Sequence, residues 1–111
     1  MNESPLFVRT HDFLKWLLPQ MQKFPRTYRF TLSERIQRQG MDFQDSLVWA
    51  GKSTGEERQI WLRKADIVLE QLRFWLRFAH EQELMTIGQY EHAARMTVEM
   101  GRLLGAWMHR S

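Results

Sequence analysis

Cysteine is absent from this chain of 111 residues, and proline occurs only at Pro5, Pro19 and Pro25. Without cysteine there is no disulfide framework and no thiolate that acts as nucleophile or metal ligand. A membrane-spanning helix needs roughly 18 consecutive apolar residues, and no stretch approaches that length; the first residues also lack the pattern of a signal peptide. These absences predict a soluble, cytoplasmic protein whose residues 1–111 form one domain.

The chain also lacks a large charge excess. It has 16 basic and 13 acidic residues, so its net charge is only +3. A net charge of this size does not by itself indicate attraction to nucleic acid. The type of base is more informative, since 12 of the 16 are arginine. The planar guanidinium pairs with phosphate or carboxylate through two parallel hydrogen bonds and stacks on flat rings. Contact with nucleic acid, if made, is expected from local arginine clusters.

The sequence contains no pattern that indicates catalysis or metal binding. Di-metal centres in helical bundles use Glu-x-x-His pairs, and the chain has none. Its histidines are scattered among polar neighbours, and neither a Ser/His/Asp grouping nor a Gly-rich phosphate loop is present. We therefore predict a non-enzymatic protein without catalytic residues, metal, cofactor or small-molecule substrate. A metal-dependent helical-bundle enzyme would require bound metal in the purified protein.

Apolar periodicity and capping patterns predict four helices. A threonine followed three residues later by Glu or Gln marks a helix start, and this pattern occurs at Thr31, Thr54 and Thr86, where the apolar pattern restarts. The predicted helices cover residues 5–22, 32–50, 56–82 and 87–109, with Gly51 ending the second. The second helix has a predicted apolar seam of Leu32, Ile36, Phe43, Leu47 and Ala50. The fold class is therefore predicted as all-α, an up-down antiparallel four-helix bundle.

The third predicted helix carries more apolar residues than it needs for one seam, the stripe of side chains that faces a partner helix. The seam follows spacings of four and three, and consists of Trp61, Ala65, Val68, Leu72, Trp75 and Ala79. Five further apolar residues lie outside it: Ile67, Leu69, Phe74, Leu76 and Phe78. A helix that is apolar on several sides must be buried on several sides. We therefore predict that copies of the chain shield it, through an interface containing Phe74, Trp75, Phe78 and Trp107.

The fourth predicted helix places two glycines, Gly101 and Gly105, one turn apart. Its predicted apolar stripe consists of Tyr90, Ala94, Val98, Gly101, Leu104 and Met108. Because glycine has no Cβ, the two positions predict close packing against a neighbouring helix.

Between the first and second helices, five basic residues and one acidic residue give a local excess of +4. The bases are Lys23, Arg26, Arg29, Arg35 and Arg38. Such clustering favours contact with phosphate, and the interleaved Phe24, Tyr28 and Phe30 are suited to stacking on unpaired bases. The alternative is a solvated loop whose rings plug the end of the bundle, and spacing alone favours this alternative.

A second basic pair, Arg73 and Arg77, is four residues apart in the most apolar part of the chain. One interpretation is structural, because Glu70 lies at helical spacing from both and salt bridges within or between subunits would satisfy them. The other is functional, because several subunits around an axis would repeat the pair as a basic patch. The sequence alone leaves both open.

Three segments resemble a known family: Lys-Phe-Pro-Arg at 23–26, Leu-Arg-Phe-Trp-Leu-Arg-Phe at 72–78, and Glu-Met-Gly-Arg-Leu-Leu-Gly-Ala-Trp at 99–107. They look like the accessory variability determinant (Avd) proteins of diversity-generating retroelements and the related four-helix proteins encoded in intervening sequences of bacterial 23S ribosomal RNA genes. The resemblance implies a barrel-shaped homopentamer with a positively charged surface that binds RNA or DNA, and a reverse transcriptase as partner. It places Arg26, Arg73 and Arg77 among the matching positions.

Two functions follow from the resemblance and the residues together. The first is an oligomeric accessory protein that binds nucleic acid and a reverse transcriptase through basic patches. The second is a structural or protein-interaction oligomer of the 23S rRNA intervening-sequence family with no role in nucleic-acid binding, in which Arg73 and Arg77 pair only with acids.

Overall fold

The computed structural model describes residues 3–111, which form four α-helices: α1 (Ser4–Gln22), α2 (Glu34–Lys52), α3 (Gly55–Glu81) and α4 (Ile87–Arg110). A 3₁₀ turn, Arg26–Tyr28, and a π turn, Arg29–Ser33, join α1 to α2. No strand occurs in the described part of the chain. Three of the four helices begin and end within one residue of the predicted bounds.

The helices form a bundle in which each contacts the next along the chain and α4 returns to contact α1. Only Ser53 and Thr54 separate α2 from α3, so these helices run in opposite directions. The bundle measures 43 × 24 × 20 Å, and its long dimension matches the roughly 40 Å expected for the 27 residues of α3 at 1.5 Å each. The helical bundle predicted from the sequence is confirmed.

A continuous apolar core runs along the bundle axis. The predicted seam of α2 is confirmed, because Leu32, Ile36, Phe43, Leu47 and Ala50 are all buried. Burying a side chain of the size of leucine or phenylalanine stabilises the fold by about 1.5–3 kcal/mol. This core therefore fixes the positions of the outward-facing residues on all four helices.

Of the three predicted capping boxes, only that at Thr86 is confirmed. Its hydroxyl accepts from the Gln89 backbone N–H at 3.1 Å, and the Gln89 side chain accepts from the Thr86 N–H at 2.8 Å. Thr54 is in the N-cap position of α3, but its side chain makes no capping bond. The box at Thr31 is wrong: the chain enters α2 through the π turn without a break in helical backbone, and the Ser33 hydroxyl donates to the Met21 carbonyl at 2.8 Å.

Gly51 does not end α2, which continues to Lys52. Ser53 is the first residue in extended conformation, and its hydroxyl donates back to the Trp49 carbonyl at 2.7 Å. The helix therefore ends where a serine satisfies one of the free carbonyls of its last turn.

The predicted stripe of α4 is in the wrong register. The residues that enter the core are Ala93, Thr97, Met100, Leu104 and Trp107, and Val98 faces solvent. Trp107 is only 2% exposed and its ring lies 6.3 Å from that of Phe7. The prediction that Trp107 forms an interface between chains is therefore wrong, because α1 and the core already cover it.

Close helix packing occurs at Gly40, not at the two glycines of α4. A Cβ at Gly40 would lie 2.8 Å from Leu14 Cδ2, so α1 and α2 approach closely there. At Gly101 a Cβ would make only ordinary contact with Leu69, and at Gly105 it would meet nothing within 4 Å among the described residues. The predicted tight packing at Gly101 and Gly105 is therefore absent within the bundle, and Gly105 is exposed on its surface.

Candidate nucleic-acid and assembly surfaces

The outer side of α3 carries a column of exposed apolar residues. Ile60, Ile67 and Phe74 are 51%, 58% and 46% exposed, and they are spaced seven residues apart. A spacing of seven places side chains on one face of a helix, about 10 Å apart per step. We call Ile60, Ile67 and Phe74 the α3 column.

The apolar excess of α3 is smaller than the sequence predicts. Leu69 and Leu76 lie outside the predicted seam, yet both are buried within the chain. Trp75 and Phe78 are partly buried and pack on the core, with their rings 5.6 Å apart. Among the four residues predicted for an interface, Phe74 is therefore the one whose side chain is most clearly available to another molecule.

Two grooves follow the α3 column toward α4, and together we call them the α3–α4 face. One groove of about 530 Å³ is lined by Asp66, Ile67, Glu70, Gln71, Arg73, Phe74, Arg77 and Tyr90. The other, of about 400 Å³, is lined by Asp66, Leu69, Glu70, Arg73, Val98, Gly101 and Arg102. The face thus combines apolar side chains with charges of both signs.

Arg73 and Arg77 form no ion pair with any carboxylate of residues 3–111. The Arg77 guanidinium lies 5.6 Å from the centroid of the Phe74 ring, a cation–π arrangement. Pairing with Glu70 inside one chain, one form of the structural interpretation, is therefore not present. Both charges are free to meet a phosphate or a carboxylate of another molecule.

Arg102, on the same face, differs because its own chain compensates its charge. Its guanidinium donates to both carboxylate oxygens of Glu99, at 2.8 and 2.9 Å. This bond raises the pKa of Arg102 and lowers the pKa of Glu99 relative to their ordinary values. The arginines of the face that form no ion pair with the described residues are therefore Arg73 and Arg77, which share their groove with the carboxylates of Asp66 and Glu70.

A further groove lies on the other side of the bundle, between α1 and α2. It has a volume of about 600 Å³ and is lined by Phe7, His11, Leu14, Lys15, Leu18 and Gln44. Met41 and Val48, seven residues apart, are exposed apolar side chains of α2. Because the helices are arranged in the order α1, α2, α3, α4 around the axis, the α1–α2 groove and the α3–α4 face point in opposite directions.

The five basic residues between Lys23 and Arg38 remain together at one end of the bundle, but they differ in availability. Lys23, Arg26 and Arg29 are exposed on the segment between α1 and α2 and form no ion pair with the described residues. The Arg35 guanidinium lies 5.5 Å from the centroid of the Trp75 ring.

Arg38 is the member of this cluster that is paired within the chain. Its Nε donates to Glu34 Oε1 at 3.0 Å, and its terminal nitrogen also contacts that oxygen. The hydrogen bond and the negative charge of Glu34 raise the pKa of Arg38 above its ordinary value. Four of the five predicted bases are therefore left without a carboxylate partner among residues 3–111.

The aromatic residues of the same segment have different roles: some fill the end of the core, and others are available for stacking on bases. Phe24 is buried and plugs the end of the core, so its predicted stacking on bases is wrong. Phe30, in contrast, is 80% exposed. It lines a cleft of about 440 Å³ together with Tyr28, Thr31, Leu32, Glu34, Arg35, Trp75 and Phe78. We call this the aromatic cleft.

Sequence reasoning missed that α3 contributes Trp75 and Phe78 to this cleft. The detectable signal is that the two residues lie three apart and thus on neighbouring positions of one helix face. It also missed the pair Trp49 and Trp61, whose rings stack 5.1 Å apart where α2 packs on α3. Which face of α3 meets α2 is set by the core and cannot be read from α3 alone.

Metal clusters and membrane-spanning helices are both absent from the described part of the chain. Among residues 3–111, no group of three or more His, Cys, Asp or Glu side chains is arranged to hold a metal ion. None of the helices in that range combines the length and apolar character needed to cross a membrane.

Comparison with known proteins identifies the family. A crystal structure of a protein of unknown function from the S23 ribosomal protein family of Bacteroides thetaiotaomicron superposes with a TM-score of 0.89, over 98% of this chain and 99% of that one, at 18% identity. This likeness establishes the shared fold. No curated protein matches the chain. The bAvd-like family matches residues 6–111, which is nearly the whole sequence, and confirms the resemblance read from the three segments. The chain therefore belongs to the bAvd-like family.

Proposed function

We propose that this protein is a non-enzymatic accessory protein that assembles into a homopentameric ring and binds RNA or DNA, together with a reverse transcriptase, through basic patches completed by assembly. Membership of the bAvd-like family supports an accessory role. The observation that carries the proposal is the pair Arg73 and Arg77, exposed and without intrachain carboxylate partners among residues 3–111, beside the apolar α3 column.

Apolar residues on two separate faces support head-to-tail assembly, of which a ring is the closed form. A two-fold dimer joins the same face of both subunits and leaves the other face uncovered. A head-to-tail contact packs the α3 column of one subunit into the α1–α2 groove of the next, with Arg73 and Arg77 at the rim of the contact, and it closes into a ring when the rotation per subunit divides a full turn. Apolar residues are present on both faces, Ile67 and Phe74 on one and Phe7 and Leu14 on the other.

Assembly also explains how a chain with a net charge of only +3 binds nucleic acid. Each subunit supplies Arg73, Arg77 and the bases of the α1–α2 segment. A ring repeats these groups at fixed spacing, so that interactions which are weak singly act on one strand together. Affinity for nucleic acid grows with the number of phosphates neutralised at once.

The proposal is tested by titrating the purified protein against fluorescent single-stranded RNA and DNA at a series of salt concentrations. We expect the logarithm of the association constant to fall linearly with the logarithm of salt concentration, with a slope of about −0.7 per phosphate neutralised. A slope corresponding to several phosphates would support a patch made by more than one subunit.

Absence of binding at low salt would contradict the nucleic-acid role. It would favour the second candidate, an oligomer whose Arg73 and Arg77 pair with acids of a neighbouring subunit. Asp66 and Glu70 line the same groove as the two arginines, so this candidate has partners of the right charge on the same face.

A further inference from the structure

We infer that the aromatic cleft binds one unpaired base of a single-stranded nucleic acid, stacked against Phe30, with the adjoining phosphates on the bases of the α1–α2 segment. The inference rests on the proposed nucleic-acid function and adds to it a location and a preference for unpaired strands. It concerns the end of the bundle, apart from the groove that contains Arg73 and Arg77.

Among residues 3–111, Phe30 is the most exposed of the large apolar residues, at 80%. Its ring adds nothing to the end of the core, which Phe24 already fills. The ring stands on a π turn, a rare backbone form that is often found at functional sites. The position of Phe30 therefore points to a ligand that covers it.

The backbone that carries Phe30 and the α3 wall of the cleft are held in place by contacts within the chain. The buried Ser33 hydroxyl donates to the Met21 carbonyl at 2.8 Å and ties the π turn to the end of α1. On the α3 wall, the ring of Trp75 contacts the ring of Phe78 at 5.6 Å and the Arg35 guanidinium at 5.5 Å. A site fixed in this way loses little conformational entropy when a ligand binds.

The dimensions and surface of the cleft suit a nucleobase. Its volume of about 440 Å³ is within the range typical of small-ligand sites. Four aromatic side chains line it: Tyr28, Phe30, Trp75 and Phe78. Every base presents a flat π face, so stacking on aromatic walls favours binding without strong dependence on sequence. Bases within a duplex are already stacked on each other, so the cleft requires an unpaired base.

The charges around the cleft favour a polyanion over an apolar peptide or a second copy of the chain. Arg29 lies between Tyr28 and Phe30 in the sequence, and Arg35 lines the cleft itself. The single acidic residue in the lining, Glu34, is bonded to Arg38, so its charge is compensated. Lys23, Arg26 and Arg29 have no carboxylate partner among residues 3–111. The site therefore offers flat apolar walls with uncompensated positive charge beside them, the combination that a strand of nucleotides matches.

The test compares three fluorescein-labelled probes of equal length by fluorescence anisotropy at one salt concentration: a deoxyadenylate strand, a strand with every base replaced by an abasic sugar, and a duplex. The proteins are wild type, Phe30→Leu, Phe30→Tyr and, as a matched control, Trp49→Leu. Leucine keeps an apolar side chain without a flat ring, and tyrosine keeps the ring. Trp49 is also an exposed aromatic residue, near the opposite end of α2.

We expect wild type to bind the deoxyadenylate strand at least about fivefold more tightly than the abasic strand, the lower limit for one stacked base. Phe30→Leu should lose that difference while its affinity for the abasic strand and the duplex stays unchanged. Phe30→Tyr and Trp49→Leu should behave like wild type. Since Phe30 is exposed, its replacement is not expected to disturb the fold, which circular dichroism verifies.

Equal affinity of wild type for the base-bearing and abasic strands would overturn the inference while leaving the proposed function intact. Retention of the difference by Phe30→Leu would also overturn it, because generic apolar contact would then suffice. If wild type bound none of the probes at low salt, the proposed function itself would fail and this inference with it. The three outcomes are distinguishable in one set of titrations.

Discussion

Replacing Ile67 by aspartate is expected to convert the assembled protein into monomers. Ile67 is the most exposed member of the α3 column and lines the larger groove of the α3–α4 face. In the proposed ring this side chain is covered by the next subunit, so an aspartate would place a carboxylate in an apolar contact without a partner. Loss of one of the few energetically dominant residues at the centre of an interface costs about 2 kcal/mol or more. Every interface around the ring would carry the substitution.

The expected result is a weakening of each subunit interface by about thirtyfold or more, measured by sedimentation velocity across a dilution series. Phe74→Asp should act in the same way. The matched control is Val8→Asp, because Val8 is a similarly exposed apolar residue on α1 that lines neither face. Far-ultraviolet circular dichroism should show the same helix content in all variants, since both α3 residues project from the bundle. An Ile67→Asp variant that sedimented like wild type would show that the α3 column is not part of the interface.

The double substitution Arg73→Gln with Arg77→Gln is expected to reduce affinity for single-stranded RNA or DNA at low salt by at least about tenfold. Glutamine keeps much of the length and polarity of the side chain but removes the charge. The slope of log affinity against log salt should also become shallower, by about 0.7 for each phosphate that is no longer neutralised. A ring repeats the substitution in every subunit, so the effect on the assembled protein exceeds that of removing two charges from one chain.

The control for this prediction removes the same charge elsewhere. Arg9→Gln with Arg95→Gln changes two exposed arginines on α1 and α4 that line none of the grooves described. It should change affinity by much less. If Arg73→Gln with Arg77→Gln instead dissociated the assembly, the two arginines would be intersubunit ion-pair partners, and the structural oligomer would be the better description.

Local chemistry determined much of what the sequence could predict. The box at Thr86 needs only Thr86 and Gln89, both within one turn, and it is present. The seam of α2 is clear because its apolar residues alternate with strongly polar ones, and all five predicted members are buried. Helix bounds followed because prolines, caps and apolar periodicity act over a few residues.

Features decided by tertiary contact were predicted less well. α4 has apolar residues around most of its circumference, so periodicity alone selects no single face. Its true core face includes Thr97, whose hydroxyl donates to the Ala93 carbonyl at 2.9 Å and is thereby satisfied without water. Because Thr97 contributes a hydroxyl to this face, the spacing of apolar residues alone does not predict it. Thr10 in α1 is buried in the same way, donating to the Leu6 carbonyl at 2.8 Å.

In the candidate sites, too, the features set by nearby residues were predicted and those set by tertiary contact were not. The sequence identified the basic residues and named Phe30 and Tyr28 as stacking residues, because composition within a short segment is visible directly. It could not join them to Trp75 and Phe78, which are more than forty residues further along the chain. It also could not separate Arg38, bonded to Glu34, from Arg26 and Arg29, which have no such partner among residues 3–111.

The central claim is that identical subunits cover the α3 column and thereby gather their arginines. Sedimentation equilibrium of the wild-type protein tests it most directly, because the method reports mass without assumptions about shape. The account predicts a species of about five times the chain mass of 13.5 kDa. A helical, well-folded species that remained at 13.5 kDa over the whole accessible concentration range would contradict it.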